Sequence, residues 1–72
     1  MVNISKLKGK IVERDLSVEK LAEIMEINKS TLYRKMANNG VDLSIDEIND
    51  IIKALNLSVD DVISIFFTQL IA

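Results

Sequence analysis

The 72-residue sequence predicts an all-α fold, a compact domain of five short helices. Three observations carry this expectation. The chain has no proline and only two glycines, Gly9 and Gly40, so little in it interrupts a helix. Its apolar residues, 49% of the total, recur at spacings of three and four rather than two. An Asn or Ser stands before each of five such runs, where a side-chain oxygen can accept from the free N–H groups of a first turn.

The first helix is expected from about Ile4 to Arg14, behind the cap Asn3. Ile4, Leu7 and Ile11 lie on one face, with Val12 at its edge. Gly9 weakens this helix by up to ~1 kcal/mol relative to alanine. The second starts after Ser17 and turns Val18, Leu21, Ala22 and Met25 inward. Glu26-Ile27 makes a turn, and Asn28 caps a third helix running to about Ala37. Asn38-Asn39-Gly40 stops it, because Asn and Gly tolerate the left-handed conformation at a helix end. Ser44 followed by Glu47 fits a capping box opening the fourth helix. There Ile45, Ile48, Ile51, Ile52 and Leu55 form the inner stripe, and Asp46, Asn49, Asp50 and Lys53 point away. Ser58 caps the fifth helix, with Asp60 and Asp61 near the positive end of its dipole. Its inner stripe is expected to be Val59, Val62, Ile63, Phe66 and Leu70. Residues 1–72 therefore read as a single domain without repeats or linkers.

A domain of this size buries only about 60–65% of its unfolded surface, which leaves a thin stability margin. Without cysteine there are no disulfides or thiolate sites, and without histidine a conventional zinc site is not expected. The same absences remove the usual general base and nucleophile. Asp46, Glu47 and Asp50 share a helix but lack the spacing of a metal-binding loop, and no glycine-rich phosphate loop exists. Enzyme activity, a cofactor and a small-molecule substrate are not expected. The apolar run from Val62 to Ala72 is 11 residues, too short to span a bilayer, so the expected setting is the cytoplasm.

Charge is distributed unevenly. The formal net charge is −2, yet residues 1–40 hold eight Lys/Arg against five Asp/Glu, and residues 41–72 hold one Lys against six acids. Between Asn28 and Gly40 stand Lys29, Arg34 and Lys35 with no acid among them. A basic end and an acidic end follow.

Residues 17–36 concentrate the functional information. Two short helices joined by a tight turn, the second with a basic and polar outer face, have the layout of a helix-turn-helix. Ala22 is small enough for the helices to cross closely, and Leu21, Met25, Ile27, Leu32 and Met36 stand where their inner faces meet. From Leu16-Ser17 through Met36 the chain resembles the Cro/repressor type of helix-turn-helix domain, also called lambda-repressor-like. The resemblance lies in Ala22, in Ile27 after the turn, in the cap Asn28, and in Lys29-Ser30-Thr31-Leu32 leading into the third helix. It implies five helices with the motif formed by the second and third. The short chain looks like small regulators from temperate phages of Gram-positive bacteria, which implies the cytoplasm of a bacterial host cell. Two positions depart from the pattern. Glu26 occupies the turn position usually held by glycine, which demands a strained conformation or a different turn. Val18 stands where the family often has a glutamine contacting the DNA backbone.

The candidate DNA-binding residues are Asn28, Lys29, Ser30, Tyr33 and Arg34. An arginine can pair with the O6 and N7 of guanine, and Ser, Lys and Tyr can reach phosphates or base edges. The plain alternative is a solvated helix face. Thr31 suits helix packing as well as contact, and Asn38 and Asn39 are explained by capping. Lys6, Lys8 and Lys10 suit either a solvated face or loose phosphate contacts. On the fifth helix Phe67 and Ile71 project toward the side of Asp60, Ser64 and Thr68, leaving surplus apolar surface for a dimer or partner. Ile63, Phe67, Ile71, Asp46 and Asp50 are the candidate protein-contact residues. The resemblance implies two functions, which can coexist. One is a transcription regulator reading double-stranded operator DNA through the third helix, as a homodimer joined through the fifth, in a genetic switch. The other is a modulator of repression, an antirepressor that binds the DNA-binding domain of a phage repressor through an acidic, partly apolar face.

Overall fold

The computed structural model describes residues 2–67, which form five helices: α1 Ile4–Glu13, α2 Val18–Ile24, α3 Lys29–Ala37, α4 Ile45–Leu55 and α5 Val59–Phe66. Each begins at the expected cap. The side chains of Asn3, Ser17, Asn28, Ser44 and Ser58 accept from the backbone N–H groups of Lys6, Lys20, Ser30, Glu47 and Asp61, at 2.8–3.1 Å. The capping box is reciprocal at Ser44, whose N–H donates to Glu47 Oε1 at 2.9 Å. A second box closes at Ser58, whose N–H donates to Asp61 Oδ2 at 3.2 Å. Each box satisfies two donors that have no partner within the helix.

The first four helices end by one device. Asp15, Glu26, Asn39 and Asn56 all take the left-handed conformation, with φ of 58°, 59°, 61° and 48°. The next residue then donates back into the last turn: Leu16 to Ile11, Ile27 to Ala22, Gly40 to Lys35 and Leu57 to Ile52, at 2.9–3.1 Å. These are Schellman closures, and in three of them an apolar residue (Leu16, Ile27, Leu57) folds against the core as the chain reverses. The turn between α2 and α3 thus keeps its ordinary geometry with Glu26 in the place of glycine. A side chain there costs roughly 1 kcal/mol, partly offset because glycine loosens the unfolded chain. Glu26→Gly is expected to raise the melting temperature by about 2–4 °C, read by thermal circular dichroism.

Gly40 has a second constraint. Its φ is +71°, and a Cβ there would lie 2.7 Å from the Val2 side chain. The N-terminal segment passes over this point, with Val2 N–H donating to Asn39 O at 3.3 Å and Asn3 N–H donating to Ile65 O at 2.7 Å. Arg14 ties α1 to α4 by donating from Nε to the Leu55 carbonyl at 2.8 Å, one of the acceptors a helix end leaves open.

The core is Leu7, Ile11, Leu21, Ala22, Met25, Leu32, Met36, Leu43, Ile51, Leu55, Ile65 and Phe66. Two inner stripes differ from expectation. Ile45 is 77% exposed. At about 100° per residue it lies about 100° from the axis set by the buried Ile51 and Leu55, and it opens the helix, where little packs over it. On α5 the buried axis runs between Ile65 and Phe66, with Val62 half-buried beside it, so Val59 at 75% and Ile63 at 39% exposure fall outside. Five of the eight α5 residues are apolar, which makes its sequence period ambiguous, and packing against α1 selects the side carrying Ile65. Phe67 is exposed, as expected. Leu70 and Ile71 lie outside the described residues.

Candidate nucleic-acid interface

The local sequence of α3 sorts its side chains to two sides. Leu32 and Met36 are buried against α2 and the core, with Thr31 and Lys35 half-buried beside them. Lys29, Ser30, Tyr33, Arg34 and Ala37 are exposed. The candidate residues Lys29, Ser30, Tyr33 and Arg34 therefore share the outer side of one helix, with Asn28 at its start. The Asn28 side-chain oxygen is occupied by the Ser30 N–H at 2.8 Å, which leaves its amide N–H groups to donate outward.

The inner edge of α3 is fixed by charge. Lys35 Nζ donates to both Glu47 carboxylate oxygens at 2.8 Å, with both side chains about 15% exposed. Glu47 caps α4 at the same time, so one carboxylate joins the candidate reading helix to α4. The Lys35 ammonium, then the Ser44 N–H, hold the Glu47 carboxyl below its usual value of 4.5. A depressed carboxyl stabilises the fold above its ordinary value, and that contribution is lost as pH falls through the folded one. Glu47→Gln is expected to cost about 1–3 kcal/mol near pH 7. The difference from the parent should shrink as the pH drops below 4.5, followed by urea unfolding at several pH values.

The outer face is less basic than the run from Asn28 to Gly40 implies, because folding brings acids to it from either side. Asp42, in the loop after α3, stands 3.9 Å from Arg34 Nη1 and accepts from the Asn38 amide at 2.9 Å. Glu19 stands in the first turn of α2, where Tyr33 and Lys29 both act on its carboxyl. Its carboxyl is lowered first by its own backbone N–H and then by Tyr33, and the Glu19 carboxylate in turn raises the Tyr33 phenol. Lys35 and Arg34 thus each meet a carboxylate from another element, and Lys29 lies in the field of a third. No acid within α3 signals this, and the pairing arises only when α2 and the loop at Asp42 close around the helix.

Lys10 is likewise engaged, with Asp61 at 3.3 Å and Glu13 at 3.2 Å, which ties it to the α1–α5 contact. The candidate protein-contact residues divide between two helices. Asp46 and Asp50 are exposed on α4, and Ile63 and Phe67 line one exposed side of α5 with Val59. Among the described residues no group of three His, Cys, Asp or Glu could hold a metal ion, and no helix is long and apolar enough to cross a membrane.

No curated protein and no solved structure gives a significant match to the chain. A family model does: residues 6–67 match the Cro/C1-type HTH DNA-binding domain, a stretch from within α1 to the end of α5. With its five helices and the motif formed by α2 and α3, the chain belongs to the Cro/C1-type helix-turn-helix family of DNA-binding, regulatory domains.

Proposed function

We propose that the chain is a small phage-type transcription regulator, acting as a single domain that reads operator DNA through α3. The observation that carries this reading is the outer face of α3. Lys29, Ser30, Tyr33 and Arg34 are exposed there, while Leu32, Met36 and the Lys35–Glu47 pair hold the opposite side rigid. A reading helix fixed in this way can offer side chains to base edges without first being ordered. Asn28 and Lys29 suit phosphates, and Arg34 suits a guanine edge. The exposed Val59, Ile63 and Phe67 support a homodimer through α5. Such a dimer places two reading helices about 34 Å apart, one DNA turn, on a two-fold-symmetric site.

The acidic side of the molecule supports a second reading, a modulator that binds the DNA-binding domain of a phage repressor. Asp46 and Asp50 on α4 and the apolar side of α5 offer a surface that could compete with DNA for a basic helix. One experiment separates the two: a fluorescence-anisotropy titration against the neighbouring regulatory DNA at ~0.15 M salt, with and without the adjacent repressor. Specific binding by the protein alone supports the operator reading. No binding alone, with release of bound repressor from its operator, supports the modulator.

A further inference from the structure

We propose that Asp42, with Glu19 beside it, is a specificity-determining residue, and that these carboxylates weaken the sequence-independent hold of α3 on phosphate. The inference rests on the operator-directed reading. Binding to arbitrary DNA depends on how many cations a protein delivers to phosphates and how many counterions that releases. The α3 helix has three cations to offer. Lys35 is locked onto Glu47 at 2.8 Å. Arg34 faces Asp42, and Lys29 lies in the field of Glu19.

Asp42 is held in place, and Glu19 is carried by a helix that packs on α3. The Asn38 amide donates to Asp42 Oδ2 at 2.9 Å, and Glu19 sits on the first turn of α2. A duplex lying against α3 brings phosphates within a Debye length of both, roughly 8 Å at physiological salt. On an arbitrary sequence Arg34 exchanges a carboxylate for a phosphate, one anion for another, while the displaced carboxylate repels the backbone. At a cognate site the guanidinium gains a bidentate pair with a base edge, which the 3.9 Å contact with Asp42 does not provide. The carboxylates therefore act against non-cognate complexes more than against the cognate one. Their weak hold on Arg34 suits this role, because a tight pair would oppose both complexes equally.

The test compares the parent with Glu19→Gln, Asp42→Asn and the double variant. Asp42→Asn keeps an oxygen to accept from Asn38, and both positions are exposed, so the fold is expected to persist, as thermal melting would register. Binding is measured to the neighbouring regulatory DNA and to a scrambled duplex of equal length, over a series of salt concentrations. The double variant is expected to bind the scrambled duplex about tenfold more tightly, with a steeper salt dependence. Its affinity for the regulatory DNA should rise less, so the ratio of the two falls. Asp60→Asn changes net charge by the same amount as either single variant, on α5, and should alter neither affinity by more than about twofold. Unchanged binding to the scrambled duplex, or an equal gain from Asp60→Asn, overturns the inference while leaving the operator reading in place. If neither parent nor double variant binds either duplex even at low salt, the operator reading fails and the inference with it.

Discussion

Arg34→Ala is expected to weaken binding to the operator by about 1–3 kcal/mol, roughly 5- to 150-fold, and to relax preference at one base pair. Arg34 is 65% exposed at its side chain, and its contact with Asp42 at 3.9 Å is too long and too wet to matter for folding. The melting temperature should therefore stay nearly constant while affinity falls, which separates loss of a contact from loss of structure. Arg34→Lys restores the charge but not the planar fork, so it should recover phosphate-driven affinity and leave the base preference relaxed. Competition binding with operators substituted one base pair at a time measures both effects. If affinity and preference survive Arg34→Ala, Arg34 does not read a base.

Leu32→Ala should have the largest effect on stability. Leu32 is fully buried, between the half-buried Thr31 and the exposed Tyr33, where α3 packs on α2. Truncating it removes transfer free energy and leaves a cavity, at about 2–5 kcal/mol. A domain of this length has roughly 4–10 kcal/mol in total, so the variant should melt about 10–25 °C lower or fail to fold at moderate temperature. Ile45→Ala is the matched control. Ile45 is 77% exposed, and its truncation should change stability by less than ~0.5 kcal/mol. Similar losses at the two positions would contradict the placement of the core.

These contrasts show where the sequence was legible. Features set by neighbours along the chain could be read directly: all five N-caps, the box at Ser44, and the helix stop at Asn38-Asn39-Gly40. Glu26 was readable as a departure from glycine, and its φ of 59° shows that the ordinary turn is kept at some strain. Features set by distant contacts could not be read. The buried side of α5 depends on which of its apolar residues turn to the core, and Ile65 rather than Ile63 does. The acids around α3 come from positions 19, 42 and 47, so a window of sequence that looked purely basic folds into a helix with carboxylates on both its sides. The candidate reading residues could be named from the helix period, but not their partners.

The central claim, that α3 is the surface that meets DNA, is tested most directly by following backbone amide NMR shifts as the neighbouring regulatory DNA is added. The account predicts that the largest changes fall at Asn28, Lys29, Ser30, Tyr33 and Arg34, with Glu19 and Asp42 at the margin and α4 and α5 changing little apart from any dimer contact. Changes centred on Asp46, Asp50, Ile63 or Phe67 with α3 silent would contradict it.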